Sequence, residues 1–298
     1  MGINLYHDAG TPPFVSDHGR MLSGSGGVGL PAQPAPAELP AQPAPAELPA
    51  QPAPAELPAQ PADVGAPPPS HLHPRVTSFR TRRTTLSSAQ QATWDRLWPE
   101  LGMHARDGDG PVPALDIEAW FGRTAPIVVE IGCGAGTSTL AMAQAEPDID
   151  VVAVEVYRRG LAQLLSGIDR ERVRNIRLVR GDGVDVLQYM FGADSLTGVR
   201  VFFPDPWPKA RHHKRRLLQP ATMALIADRL RPGGVLHAAT DHMGYAEHIA
   251  EVGDAEPRLR RVGAEDALPI SVDRPVTKYE RKALAGPVVT ELLWEKAE

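Results

Sequence analysis

Beyond residue 126 the chain alternates two rhythms, short β-branched apolar runs and stretches in which apolar residues recur at helical spacing. Ile127-Val128-Val129-Glu130-Ile131 has the length and branching of a buried strand; Gly132-Cys133-Gly134-Ala135-Gly136 breaks it, and Leu140, Ala141 and Met142 fall in a helical stretch that follows. Val151-Val152-Ala153-Val154-Glu155 repeats the strand pattern. Further strands are predicted from Ile176 to Val179, Val199 to Phe203 and Val235 to Thr240, with helices near Arg158 to Leu165, Leu217 to Leu230 and Tyr245 to Val252. Upstream, Ser87 followed by Gln90 fits a capping box that opens a helix through Trp94, Leu97 and Trp98. This alternation predicts an α/β fold, a mostly parallel central sheet with helices on both faces.

The first quarter has neither rhythm. Seventeen of the 31 prolines precede residue 76, and the nine-residue unit Pro-Ala-Gln-Pro-Ala-Pro-Ala-Glu-Leu occurs three times between Pro31 and Leu57, with a partial fourth ending at Ala62. One leucine per repeat is too little apolar surface to offset the entropy of ordering, so residues 1–70 are expected to be an extended or disordered tail, and residues 71–298 the folded domain.

Charge sharpens that division. The formal net charge is −5, but residues 1 to 75 carry two Arg against six acids, which leaves the remainder at −1. Within that remainder Arg75 to Arg83 holds four Arg and no acid, and Arg200 to Arg216 holds six Lys or Arg against Asp205 alone. A locally positive face on a near-neutral domain suits a transient polyanionic substrate. The single cysteine, Cys133, excludes an intrachain disulfide and a structural cysteine-based zinc site, and no metal is expected. No apolar run spans a bilayer and the N-terminus lacks a signal-peptide pattern, so the expected compartment is the cytoplasm.

In a parallel α/β sheet, ligands sit beyond the carboxyl ends of the strands. Gly132, Gly134 and Gly136 lie at the first such end and let backbone approach a ligand closely, but Thr137 stands where a dinucleotide fingerprint has its third glycine. Glu130 repels a diphosphate there and suits a cofactor bearing sulfonium and ammonium groups. Glu155, ending the second strand, is placed to accept hydrogen bonds from a ribose diol. Asp182, in Arg180-Gly181-Asp182-Gly183 after the third strand, can bind an adenine amine, although Gly-Asp-Gly is also an ordinary turn. The acid-glycine-acid pattern resembles class I S-adenosylmethionine methyltransferases; Rossmann-like dehydrogenases share much of it.

The fourth strand runs into Phe203-Pro204-Asp205-Pro206-Trp207-Pro208-Lys209, then Arg211-His212-His213-Lys214-Arg215-Arg216. A rigid turn there can hold a flat ring against a carboxylate, with cations beside it for phosphates. Trp207 either stacks on the base or braces the turn, and the two histidines need no catalytic role. This segment closely resembles the signature of the bacterial tRNA (guanine-N7-)-methyltransferases. Ala239-Thr240-Asp241 and Arg274-Pro275-Val276-Thr277-Lys278-Tyr279-Glu280 are similar to two further elements of that family, and Ser78-Phe79-Arg80 to another. The likeness covers roughly residues 75 to 298 and leaves the repeats unexplained.

The resemblance implies a Rossmann-like class I methyltransferase fold, S-adenosylmethionine as cofactor and methylation of the variable-loop guanine of tRNA at N7. Glu130, Glu155, Asp182 and Asp205 match its cofactor-binding acids, with Asp205 its proposed catalytic residue. Lys209, Asp241, Thr277, Lys278, Tyr279 and Glu280 match its substrate-binding positions, and Arg211, Lys214, Arg215 and Arg216 are expected at tRNA phosphates. Asp205 is expected to accept hydrogen bonds from guanine N1 and N2. Three alternatives remain from the residues: an exocyclic-amine methyltransferase, a dinucleotide-dependent dehydrogenase and a silent RNA-binding module. Monomer and homodimer are equally open.

Overall fold

The computed structural model describes residues 85–107, 110–112, 114–276 and 288–298, all within the second of two units, Pro67–Glu298. The repeat tail, the Arg75 to Arg83 run and Thr277 to Glu280 lie outside the described residues. The expected capping box is present: the Gln90 backbone N–H donates to Ser87 Oγ at 3.3 Å and the Ser87 N–H to Gln90 Oε1 at 3.1 Å, which starts α1 (Ser88–Leu101). Then come β1 (Gly102–His104), the small ribbon of β2 (Arg106–Asp107) and β3 (Gly110–Pro111), and α2 (Ile117–Phe121).

From there strands and helices alternate as predicted: β4 (Ile127–Ile131), α3 (Thr137–Ala145), β5 (Asp150–Glu155), α4 (Arg158–Glu171) and β6 (Ile176–Arg180). A single turn, α5 (Gly183–Asp185), runs into a π-helical turn at Val186–Met190. The chain continues through β7 (Leu196–Phe202), a 3₁₀ stretch (Ala210–Arg215), α6 (Pro220–Arg229), β8 (Leu230–Thr240), α7 (Met243–Asp254), β9 (Leu259–Val262) and β10 (Thr290–Lys296). Among the described residues no helix is long and apolar enough to cross a membrane.

The eight main strands form one sheet in the order β1-β6-β5-β4-β7-β8-β10-β9. Neighbours from β1 to β8 are parallel; β10 pairs antiparallel with both β8 and β9. The chain builds outward from β4 to β6, then returns to add β7 on the other side of β4. That reversal leaves a crevice above the carboxyl ends of β4 and β7, where ligands bind in such sheets.

Strand alternation assigns the two faces. On β5, Val151 and Ala153 join the cluster made with α1 and α4, whereas Val152 and Val154 join the one under α6 and α7. On α4, Leu161, Leu164, Leu165 and Ile168 make one buried stripe at helical spacing, each contributing roughly 1.5–3 kcal/mol by burial. One polar row interrupts this pattern. Glu130 on β4 lies in register with Arg200 on β7, and Arg200 with His237 on β8, all three buried.

Candidate active site

β4 ends in a turn that only glycine makes without strain. Gly132, Gly134 and Gly136 have φ of +79°, +56° and +74°. A Cβ on Gly136 would stand 2.5 Å from Leu164 Cδ1, so that position also lets α3 approach α4. At Gly132 a Cβ would meet nothing within 4 Å, because the space above it is open cleft. Glu155, at the end of β5, ties the turn down: Oε2 accepts from Gly134 N–H at 3.0 Å, and Oε1 from the N–H groups of Val156 at 2.7 Å and Tyr157 at 2.9 Å. Burial pushes its carboxyl above the usual range against the pull of those three donors, and the charge of Asp205 adds to the rise. Asp182 caps α5, its Oδ1 accepting from Val184 N–H at 3.0 Å.

Among the clefts over this sheet edge, two adjoin the ends of β4 and β7. The first, about 220 Å³, is lined by Gly132, Glu155, Asp182 and Asp205 among others. The second, about 660 Å³, is lined by Glu130, Cys133, Ser138, Pro206, Asp241 and His242 among others. Gly132, Phe202, Phe203 and Pro204 belong to both, so the clefts are neighbours across one wall. The acids expected around a cofactor therefore divide. Glu155, Asp182 and Asp205 face the first cleft, Glu130 and Asp241 the second. Asp205 lines the first cleft with Glu155 and Asp182, while its neighbour Pro206 lines the second with Asp241.

Glu130 is the most perturbed of these groups. Burial pushes its carboxyl up to about 7, against the pull of Arg200 on the neighbouring strand and of the Thr139 hydroxyl, which falls short of a well-formed hydrogen bond. Its Oε2 is buried with no hydrogen-bond partner. A buried orphan acceptor on the cleft wall fits a ligand with a cationic end, and the open space over Gly132 fits the body of such a ligand. The residues present therefore suit S-adenosylmethionine. Arg200 is itself pinned below, its Nη2 donating to Glu146 Oε2 at 2.6 Å and to Ser271 O at 3.1 Å. Cys133 is buried in the same wall; burial and the charges of Glu155 and Glu130 push its thiol well up, so it stays protonated and is no nucleophile.

The turn after β7 is built differently. Phe203 and Trp207 take φ of +51° and +45°, left-handed conformations that cost a bulky residue free energy and that only surrounding contacts hold. The Arg274 guanidinium lies 4.9 Å from the Phe203 ring and 5.6 Å from that of Phe202, and its Nη2 donates to Glu291 Oε1 at 3.0 Å. Glu291 also meets Nε2 of His237 at 2.6 Å. Trp207 is buried, with the Arg215 guanidinium 4.4 Å from its ring centre and His212 edge-on at 5.8 Å. Of the two roles open to Trp207, its burial favours bracing the turn.

The basic run also splits. Lys209, Arg211 and Lys214 are exposed and Arg215 half-buried against Trp207. Arg216, expected at a phosphate, is instead buried: its Nε donates to Pro206 O at 3.0 Å, Nη1 to Gly244 O at 3.2 Å and Nη2 to His213 Nε2 at 3.2 Å, with Tyr245 packed 4.8 Å away. Burial draws its guanidinium down from the usual value. Its donors are committed inside the fold, so it fastens the turn to α7 rather than facing solvent. His213 serves it as an acceptor. Sequence reasoning missed Arg274 and His242; Arg274 opens the Arg274 to Glu280 segment and His242 directly follows Asp241 at a helix start, and those positions were the only signals.

A family model described as a putative methyltransferase matches residues 124–288. A tRNA (guanine-N(7)-)-methyltransferase of Mycolicibacterium gilvum is 68% identical over 288 residues, covering 95% of this chain and 99% of the relative. That of Mycolicibacterium vanbaalenii is 78% identical over 239 residues, 77% of this chain and 90% of the relative, and that of Nocardia farcinica 59% identical over 243 residues, 78% and 88%. With the glycine turn, its flanking acids and the Pro-Asp-Pro-Trp-Pro turn all set on one sheet edge, the chain belongs to the tRNA (guanine-N(7)-)-methyltransferase family.

Proposed function

We propose that this chain methylates N7 of the variable-loop guanine of tRNA, yielding N7-methylguanosine and S-adenosylhomocysteine. The observation that carries this reading is the pair of neighbouring clefts, one lined by Glu155, Asp182 and Asp205, the other by Glu130, Asp241 and His242, sharing a wall of Gly132 and Phe202 to Pro204. When bound, S-adenosylmethionine supplies an electrophilic methyl on a cationic sulfur. Glu155 would hold its ribose, Asp182 its adenine amine and Glu130 its cationic end.

Guanine N7 carries a free lone pair at neutral pH, so no general base is required of the chain. Orientation and electrostatics then supply most of the rate. Positive charge develops on the purine ring, and Asp205 at the head of the turn is positioned to stabilise it. Asp241, in the second cleft, takes over the guanine N1–H and N2–H contacts expected of Asp205. Lys209, Arg211 and Lys214 meet the phosphates, and Thr277, Lys278, Tyr279 and Glu280 complete the substrate contacts.

The test is incubation of the protein with radiolabelled S-adenosylmethionine and unmodified tRNA, followed by borohydride and aniline treatment. Label in tRNA with chain cleavage at a variable-loop guanine is the expected result. Label without such cleavage would place the methyl on another atom, and no label would overturn the reading.

A further inference from the structure

His242 lies beside Asp241 on the wall of the second cleft and belongs to none of the roles above. It caps α7: the Tyr245 backbone N–H donates to His242 Nδ1 at 3.2 Å, while the His242 backbone N–H donates to Thr240 Oγ1 at 3.3 Å. A backbone N–H can only donate, so Nδ1 must offer a lone pair, and the neutral ring carries its proton on Nε2. The helix start thus selects the tautomer. Among the described residues no acceptor lies within hydrogen-bond distance of Nε2.

Asp241 and His242, adjacent in sequence, both line the second cleft, and their side chains carry a carboxylate and an N–H donor. Guanine presents the complement on one edge, an acceptor at O6 next to donors at N1 and N2. Adenine reverses the first two, with an amine where guanine has O6 and a bare nitrogen at N1. Against this pair adenine would set donor on donor and acceptor on acceptor, and a site built to hydrogen-bond a group discriminates strongly when that group is absent. Capping alone does not call for histidine, since serine, threonine, asparagine and aspartate are the favoured N-caps.

We propose that His242 is a specificity-determining residue whose Nε2–H donates to O6 of the target guanine, beside the Asp241 carboxylate that accepts from N1 and N2. The proposal rests on the guanine-N7 reading of the site.

The test uses two variants that keep a capping side chain. His242→Ser caps α7 and withdraws the donor; His242→Asp caps it and presents an acceptor in its place. Each is assayed on tRNA transcripts carrying guanine or 2-aminopurine at the target position, the latter keeping N7 and the 2-amino group but lacking O6 and N1–H. His242→Ser is expected to lose about tenfold in kcat/KM on guanine, as for one neutral hydrogen bond, and the wild-type penalty for 2-aminopurine should shrink by the same factor. The N1 change is common to both enzymes and cancels in that comparison. His242→Asp should lose at least as much, with Tm and cofactor affinity as in the wild type. Wild-type kcat/KM on guanine in either variant, or an undiminished 2-aminopurine penalty in His242→Ser, would overturn the proposal. Failure of the wild-type enzyme to form N7-methylguanine would instead overturn the reading of the reaction on which it rests.

Discussion

Two turns leave the same edge of the sheet in left-handed backbone, and they reach it by opposite means. Gly132, Gly134 and Gly136 adopt positive φ with no side chain to strain, and Glu155 secures the loop through backbone N–H groups. Phe203 and Trp207 adopt it with two of the bulkiest side chains in the protein. Their cost is met by side-chain partners: Arg274 from a distant segment over Phe203, and, from the residues just downstream, Arg215 and His212 around Trp207 and Arg216 on the Pro206 carbonyl. The first turn is encoded by its glycines and leaves room for a ligand. The second is held by side-chain packing and carries Asp205 to the cleft.

Removing the packing should therefore cost the most. Trp207→Ala is expected to destabilise the fold by about 3–5 kcal/mol in denaturant unfolding. A loss under about 1 kcal/mol would mean that the ring does not hold the turn.

Next in size is Glu130, at the foot of the glycine turn. Its folded carboxyl titrates at about 7 against an ordinary 4.5, so the folded state holds the proton more tightly. The associated stability is complete below pH 4.5, falls as pH rises through 7, and is absent above it. Glu130→Gln should thus gain on the wild type by about 3 kcal/mol between pH 4.5 and 8, read from unfolding at a series of pH values. A difference independent of pH would contradict the burial argument.

Gly132→Ala adds only backbone strain, about 1–2 kcal/mol, since its Cβ enters open space. Because that space is cleft, cofactor affinity should fall as well; unaltered affinity would separate this glycine from the ligand. The smallest effect belongs to the exposed cations. Lys209→Gln with Lys214→Gln should lower the slope of log tRNA affinity against log salt by roughly 0.7–0.9 for each phosphate no longer neutralised, with no change in Tm.

The first turn was legible because its code is contiguous: strand, glycines, helix, then Glu155 at the next strand end. β4 fell on the predicted residues, and β5 to β8 were found with ends shifted by a few positions. The second turn was legible as a motif but not as a structure. Nothing in Lys214-Arg215-Arg216 marks Arg216 as the buried member, because its acceptors at Pro206 and Gly244 are brought near only by the fold. β9 and β10 went unpredicted for a related reason: Thr290–Lys296 reads as a half-polar edge until β8 supplies its partner. Leu217 and Leu218 precede α6, which begins at Pro220, where proline suits the first helical position.

The place of the guanine in the second cleft is tested most directly by Asp241→Asn, measured in single-turnover methylation of tRNA at saturating S-adenosylmethionine. If the second cleft holds the guanine, the rate of N7-methylguanine formation falls at least about 100-fold while cofactor affinity stays at the wild-type value. A wild-type rate, or a loss that more cofactor restores, would contradict it.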